Sequence, residues 1–175
     1  MPVYEFQGKQ PDLSDEAFIH PEAVIIGDVA VGAGSFIGPG AVIRGDFGPV
    51  ILGENVSLQD NAVVHVSPGS QVTIEDNCIV GHGALLHDVR LETGSVVGMG
   101  AILLFNVCCE AGSFVAAGSL VARGMTIPAG AVAAGSPAKV IRSSASSKQI
   151  RQAREGALLY RELAFRYRAT MKRIP

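Results

Sequence analysis

The chain has 175 residues, with 14 Lys and Arg against 16 Asp and Glu; that is the size of one domain, and so even a balance excludes a basic nucleic-acid surface. Three Cys exclude a disulfide framework and point to a reducing, cytoplasmic setting, while 21 Gly and no Trp fit neither a helical bundle nor, lacking a three-residue period, collagen. The opening MPVYEFQGKQPDL does not read as a secretory leader, and no apolar run reaches the roughly eighteen residues of a membrane span.

From Ile19 onward, large aliphatic residues recur every six positions: Ile25, Val31, Ile37 and Ile43, then, after three extra residues, Leu52, Leu58 and Val64. Four more extra residues lead to Ile74, Val80 and Leu86. One five-residue step then leads to Leu91, Val97, Leu103, Cys109, Val115, Val121 and Ile127. Of these eighteen positions, all but Cys109 are Ile, Leu or Val, and small residues such as Ala23, Ser35, Ala41, Ala62, Ala84 and Ser95 stand four further on. An alternating sandwich would show period two instead. Period six predicts an all-β solenoid, a parallel β-helix with three short strands to each triangular coil and about six coils in all.

The β-helix with its N-terminal cap is expected over 1–142, followed by a polar linker over 143–147 with Ser147 as a helix cap. Over 148–175 the residues Ile150, Ala153, Ala157, Tyr160, Ala164, Tyr167 and Met171 make a stripe at steps of three and four. That spacing predicts an amphipathic helix packed along the solenoid or on a neighbouring subunit. Membrane attachment is disfavoured by the three alanines in the stripe, and Gly156 interrupts it at a cost of about 1 kcal/mol relative to Ala.

Counting by sides of the triangle, Ile43, Val64, Leu86 and Leu103 fall on one face, a coil apart. Arg44, His65 and His87 each follow one of the first three and so point outward in one column. Coils stack about 4.8 Å apart, which lets two imidazoles in adjacent coils share a metal ion. His82, two after Val80, sits near a corner of the preceding face. A second chain is the economical way to bring it to the pair, which makes a homotrimer with three identical sites. Three imidazoles and an open position form the ligand set of catalytic zinc, with ferrous iron or cobalt also compatible. His20, beside Pro21, is read as structural. Gln59 and Asp60 follow Leu58 on the side before His65: the Gln59 amide suits a substrate oxygen, and Asp60 suits a histidine's second nitrogen or a loop. Arg44 and Asp46 fit an interface salt bridge better than catalysis.

At RGDFGPV (Arg44 to Val50), NVSLQDNAVVH (Asn55 to His65), GHGALLH (Gly81 to His87) and GSPAKVIR (Gly135 to Arg142) the chain resembles the gamma-class carbonic anhydrase family. More narrowly, it resembles the subgroup with the phenylacetic acid degradation and carnitine-operon proteins. The resemblance implies a left-handed β-helix and a homotrimer with zinc, sometimes iron, between subunits. It matches the metal histidines to His65, His82 and His87, the interface pair to Arg44 and Asp46, and the catalytic Gln and Asp to Gln59 and Asp60. The implied reaction is reversible hydration of carbon dioxide by metal-bound hydroxide. The chain departs from the family at Phe47, where a Glu is usual, and in lacking an acidic loop after the first metal histidine. Phe105 and Asn106 make a more apolar pocket than relatives have. The alternatives are acyl-coenzyme A thioester hydrolysis at the same site, a hexapeptide-repeat acyltransferase, and a non-catalytic trimeric scaffold.

Overall fold

The computed structural model describes residues 2–174. It is a left-handed parallel β-helix of about seven turns with one C-terminal helix. The hexads become the rungs. On the first face Val3–Tyr4 starts a stack that continues through the opening halves of Val24–Val31 and Val42–Leu52, then Val63–His65, Leu85–His87, Ile102–Leu103 and Leu120–Val121. The second face runs from Asp12–Leu13 through the closing halves of the two long strands, then Val72–Ile74, Arg90–Leu91 and Cys108–Cys109 to Thr126–Ile127. The third runs from Phe18–Ile19 to Val132–Gly135, on which Ala138–Arg142 folds back antiparallel and closes the edge.

One coil more is present than the repeat count predicts. Val3 and Leu13 occupy inward positions of the first turn and Ala133 one of the last. The first two are separated by a loop carrying the Phe6–Lys9 bridge, which hides the period, and the third is too small to register as an anchor. Inside the triangle, anchors such as Ile25, Ile43, Val64, Leu91 and Leu103 are fully buried, and so are Ala23, Ala41, Ala62 and Ala84 at the corners. The corners take small or modest side chains, up to Cys78, Val56 and Val107, which are buried as well. Where two coils touch backbone to backbone even a methyl has no room: a Cβ on Gly45 would stand 2.3 Å from the Asp28 carbonyl oxygen.

The helix spans Ser147–Thr170 and is capped by Ser146, not Ser147, because Gln149 three residues on completes a reciprocal capping box with it. It lies on the third face of its own solenoid. Phe18 and Phe36 stack with ring centroids 5.4 Å apart and are covered by Tyr160 and Tyr167 at 5.2 and 4.9 Å. Gly156 falls where the helix crosses Ile79, whose Cδ1 would be 3.1 Å from a Cβ there, so the interruption in the stripe is a close approach. No helix among the described residues is long and apolar enough to cross a membrane.

Candidate metal centre

Arg44, His65 and His87 are register partners on consecutive rungs of the first face. Strand pairing puts His65 Nδ1 3.0 Å from His87 Nε2, with the two rings at 89°. Two nitrogens on one tetrahedral zinc, each at about 2.0–2.1 Å, stand about 3.3 Å apart, so the facing pair fits two corners of such a site. The other side of each ring meets a carboxylate. His65 Nε2 donates to Asp46 Oδ1 at 2.9 Å, which fixes the tautomer and leaves the Nδ1 lone pair towards His87. His87 Nδ1 lies 3.4 Å from Asp88 Oδ2, near enough for charge but without the alignment of a hydrogen bond, and it is buried with no other partner.

Asp46 is shared. Its Oδ2 accepts from Arg44 Nη1 at 2.5 Å, and Arg44 Nη2 reaches towards His65 Nδ1 at 3.3 Å. Arg44 and Asp46 thus pair with each other within one chain. Burial works to raise the Asp46 pKa, but the hydrogen bonds from His65 and Arg44 and the guanidinium charge outweigh it and hold the carboxyl below its ordinary value. Asp88, which takes the Ser67 amide at 2.6 Å, is likewise held down: burial opposes this, and the Ser67 bonds and the neighbouring His87 prevail.

His82 is not brought to the pair. It stands one rung above Asp60 at the corner between the third and first faces, its Nδ1 3.3 Å from both the Asp60 amide and an Asp60 carboxylate oxygen. Among the described residues of the chain, no three His, Cys, Asp or Glu side chains converge on one ion. Gln59, next to Asp60, is buried at 6% exposure. Phe105 packs on His87 with centroids 4.5 Å apart, Phe47 is 5.9 Å from His65 and half exposed, and Asn106 turns the corner beside Asp88 with φ 59°.

Sequence reasoning missed two residues. Arg123 lies over Phe105, 4.9 Å from the ring centroid, and Asp88 stands beside His87 and accepts from the Ser67 amide in the loop of the preceding coil. The register held the signal for Arg123, which follows Val121 by two as Phe105 follows Leu103. Asp88 was marked only by its place beside His87.

Two stretches match family models, residues 13–45 the bacterial transferase hexapeptide (six repeats) and residues 71–104 the hexapeptide repeat of succinyl-transferase. The carnitine operon protein CaiE of Salmonella agona is 38% identical over 168 residues, covering 96% of this chain and 84% of that protein. The chain belongs to this hexapeptide-repeat family. Within the family it is similar to two solved structures, each 36% identical. One is a hexapeptide transferase family protein from Anaplasma phagocytophilum, with TM-score 0.91 over 95% of this chain and 98% of that one. The other is a putative acetyltransferase from Bacillus cereus, with TM-score 0.93 over 95% and 96%.

Proposed function

We propose that the protein is a metal-dependent hydratase interconverting carbon dioxide and bicarbonate. It works as a homotrimer in which His65 and His87 of one subunit and His82 of the next hold a divalent ion, by donor type zinc, ferrous iron or cobalt. The observation that carries this is the facing pair of imidazole nitrogens 3.0 Å apart, each ring backed by a carboxylate. An ion bound there would supply a water acidified towards neutral pH.

The chain's own side chains supply the rest. Asp46 keeps the proton of His65 on Nε2, so that Nδ1 is available as a donor atom. Asp60 positions His82 differently, its backbone amide donating to Nδ1 while its carboxylate lies 3.3 Å from the same atom. The Gln59 amide, with no hydrogen bond of its own among the described side chains, holds a substrate oxygen, and Phe47 and Phe105 narrow the access of bulk water. With no acidic loop near the site, a released proton passes through ordered water to buffer, which favours modest turnover. The trimer is supported by the outward stripe beside the column: Val24, Val42, Val63, Leu85, Ile102 and Leu120 are register partners on successive rungs and stay partly exposed in the single chain. Such an apolar face next to a two-ligand half-site suits a partner that brings the third ligand.

A second reading has its own observation. Of the two solved relatives at 36% identity, one is named a putative acetyltransferase and the other a hexapeptide transferase family protein, and none of the relatives named above is called a carbonic anhydrase. Hydrolysis or transfer of an acyl-coenzyme A thioester at the same histidines is therefore the alternative. Stopped-flow hydration assays on zinc- and iron-loaded protein, run beside coenzyme A release from a panel of acyl thioesters with and without an amine acceptor, separate the two. Hydration above the free-metal background that is lost in His87→Ala supports the proposal. No hydration with either metal overturns it, and chelator-sensitive thioester cleavage would then establish hydrolysis, while acceptor-dependent release that survives chelation would establish transfer.

A further inference from the structure

Away from the histidines, between the helix and the corner that joins the second and third faces, lies a groove of about 530 Å3, well within the roughly 300–1,000 Å3 of small-molecule pockets. Its floor follows one corner position up the solenoid through Asn55, Asn77, Gly94, Gly112 and Gly130, all with positive φ. From Asn55 to Gly130 is four rungs, about 19 Å. A Cβ on any of the three glycines would meet nothing within 4 Å, so the floor lies open to the groove. Phe114 also lines the groove, and Ile150, Ala153, Ala157 and Leu158 line it from the helix.

Two charges stand over this apolar trough. Arg154 and Arg161 both line it, and at seven residues apart they lie on one side of the helix, two turns from each other. Neither joins an ion pair among the described residues, and the lining contains no Asp or Glu. The stem of Arg161 lies over the same corner lower down, its Cγ 3.7 Å from where a Gly34 Cβ would stand. Guanidinium groups without carboxylate partners, set along an elongated apolar groove, match a ligand with an anionic head and an extended apolar body. We infer that this groove is a second binding site, separate from the histidine column, for an amphiphilic carboxylate: an alkyl chain laid over the glycine floor with its head group held by Arg154 and Arg161.

The test is calorimetric titration of the full-length protein with sodium decanoate and, as the same alkyl body with the opposite charge, decylammonium. Decanoate is expected to bind saturably once per chain and decylammonium at least about tenfold more weakly. The Arg154→Gln/Arg161→Gln double variant should lose at least about tenfold in decanoate affinity. Gly112→Asn should abolish binding by filling the floor; Asn55 and Asn77 already occupy the same corner in the same conformation, so the fold accommodates it, and if this variant fails to fold the double variant decides alone. No saturable decanoate binding, equal affinity for the two amphiphiles, or undiminished binding by the double variant would each overturn the site. Sedimentation of Leu158→Asp should show unchanged assembly; dissociation would make the groove a contact between copies of the chain and overturn it as well.

Discussion

Asp46→Asn tests the carboxylate behind the histidine pair with almost no change of shape. In the native chain both oxygens accept, one from His65 Nε2 at 2.9 Å and one from Arg44 at 2.5 Å. An amide has one oxygen and one NH2, so whichever way it turns, a donor faces either the guanidinium or the imidazole N–H. If the NH2 faces His65, the ring relieves the clash by moving its proton to Nδ1, the nitrogen that faces His87. One charge-assisted hydrogen bond, worth about 1.5–3 kcal/mol, is lost in either arrangement, which corresponds to about 10–100-fold in metal affinity, the range found for partners of ligating histidines. Competition of purified protein with a chromophoric chelator for zinc measures this directly. Hydration or thioester cleavage should fall in parallel at limiting metal and recover in part at saturating metal. Zinc affinity equal to that of the native chain would refute the role given to Asp46, whatever the activity does.

Three further outcomes are expected. Burial pushes the thiols of Cys78 and Cys109 up to about 12 from the ordinary 9.0, and it raises the half-exposed Cys108 as well, so at pH 8 a thiol reagent should label Cys108 first and the other two only on unfolding. Because the folded values of Cys78 and Cys109 lie above the unfolded one, the unfolded chain loses these protons first. Stability should therefore be intact below pH 9 and fall between pH 9 and 12, with a limiting slope of about 1.4 kcal/mol per pH unit per thiol, readable as a falling melting temperature. Gly45→Ala must displace the Asp28 carbonyl, whereas Gly94→Ala meets only the strain of φ 72°; the first should cost up to about 3 kcal/mol and the second about 1, so Gly45→Ala should melt lower.

The hexad register was legible because each anchor is fixed by the same physical demand, one branched side chain filling a third of a triangular cross-section. The same register places Arg44, His65 and His87 in a column, since strand pairing leaves no freedom once the rungs are stacked. What was illegible had weaker constraints. The first coil was hidden by the loop between Val3 and Leu13, and the last anchor by the small size of Ala133. Whether the helix would dock on its own coil or a neighbour's was undecided, because Phe18 and Phe36 are outward positions whose partners, Tyr160 and Tyr167, lie more than a hundred residues away. The groove beside Arg154 and Arg161 also exists only after that docking.

The breaks in the repeat are informative in their own right. Three extra residues follow Ile43 and four follow Val64, and both insertions emerge at the corner where the first face meets the second, beside the histidine column. The regular rungs can hold two rings a fixed distance apart, but a six-residue repeat has no room for a group reaching back over its own face. The first insertion provides that reach: Asp46 and Phe47 sit in it and turn towards His65. The second contains Ser67, whose amide fixes Asp88 beneath His87. Register therefore sets the spacing of the donor nitrogens, and the first irregularity sets the tautomer that His65 presents. A family member that kept the hexads and the histidines but lost these two insertions should keep the fold and bind metal weakly.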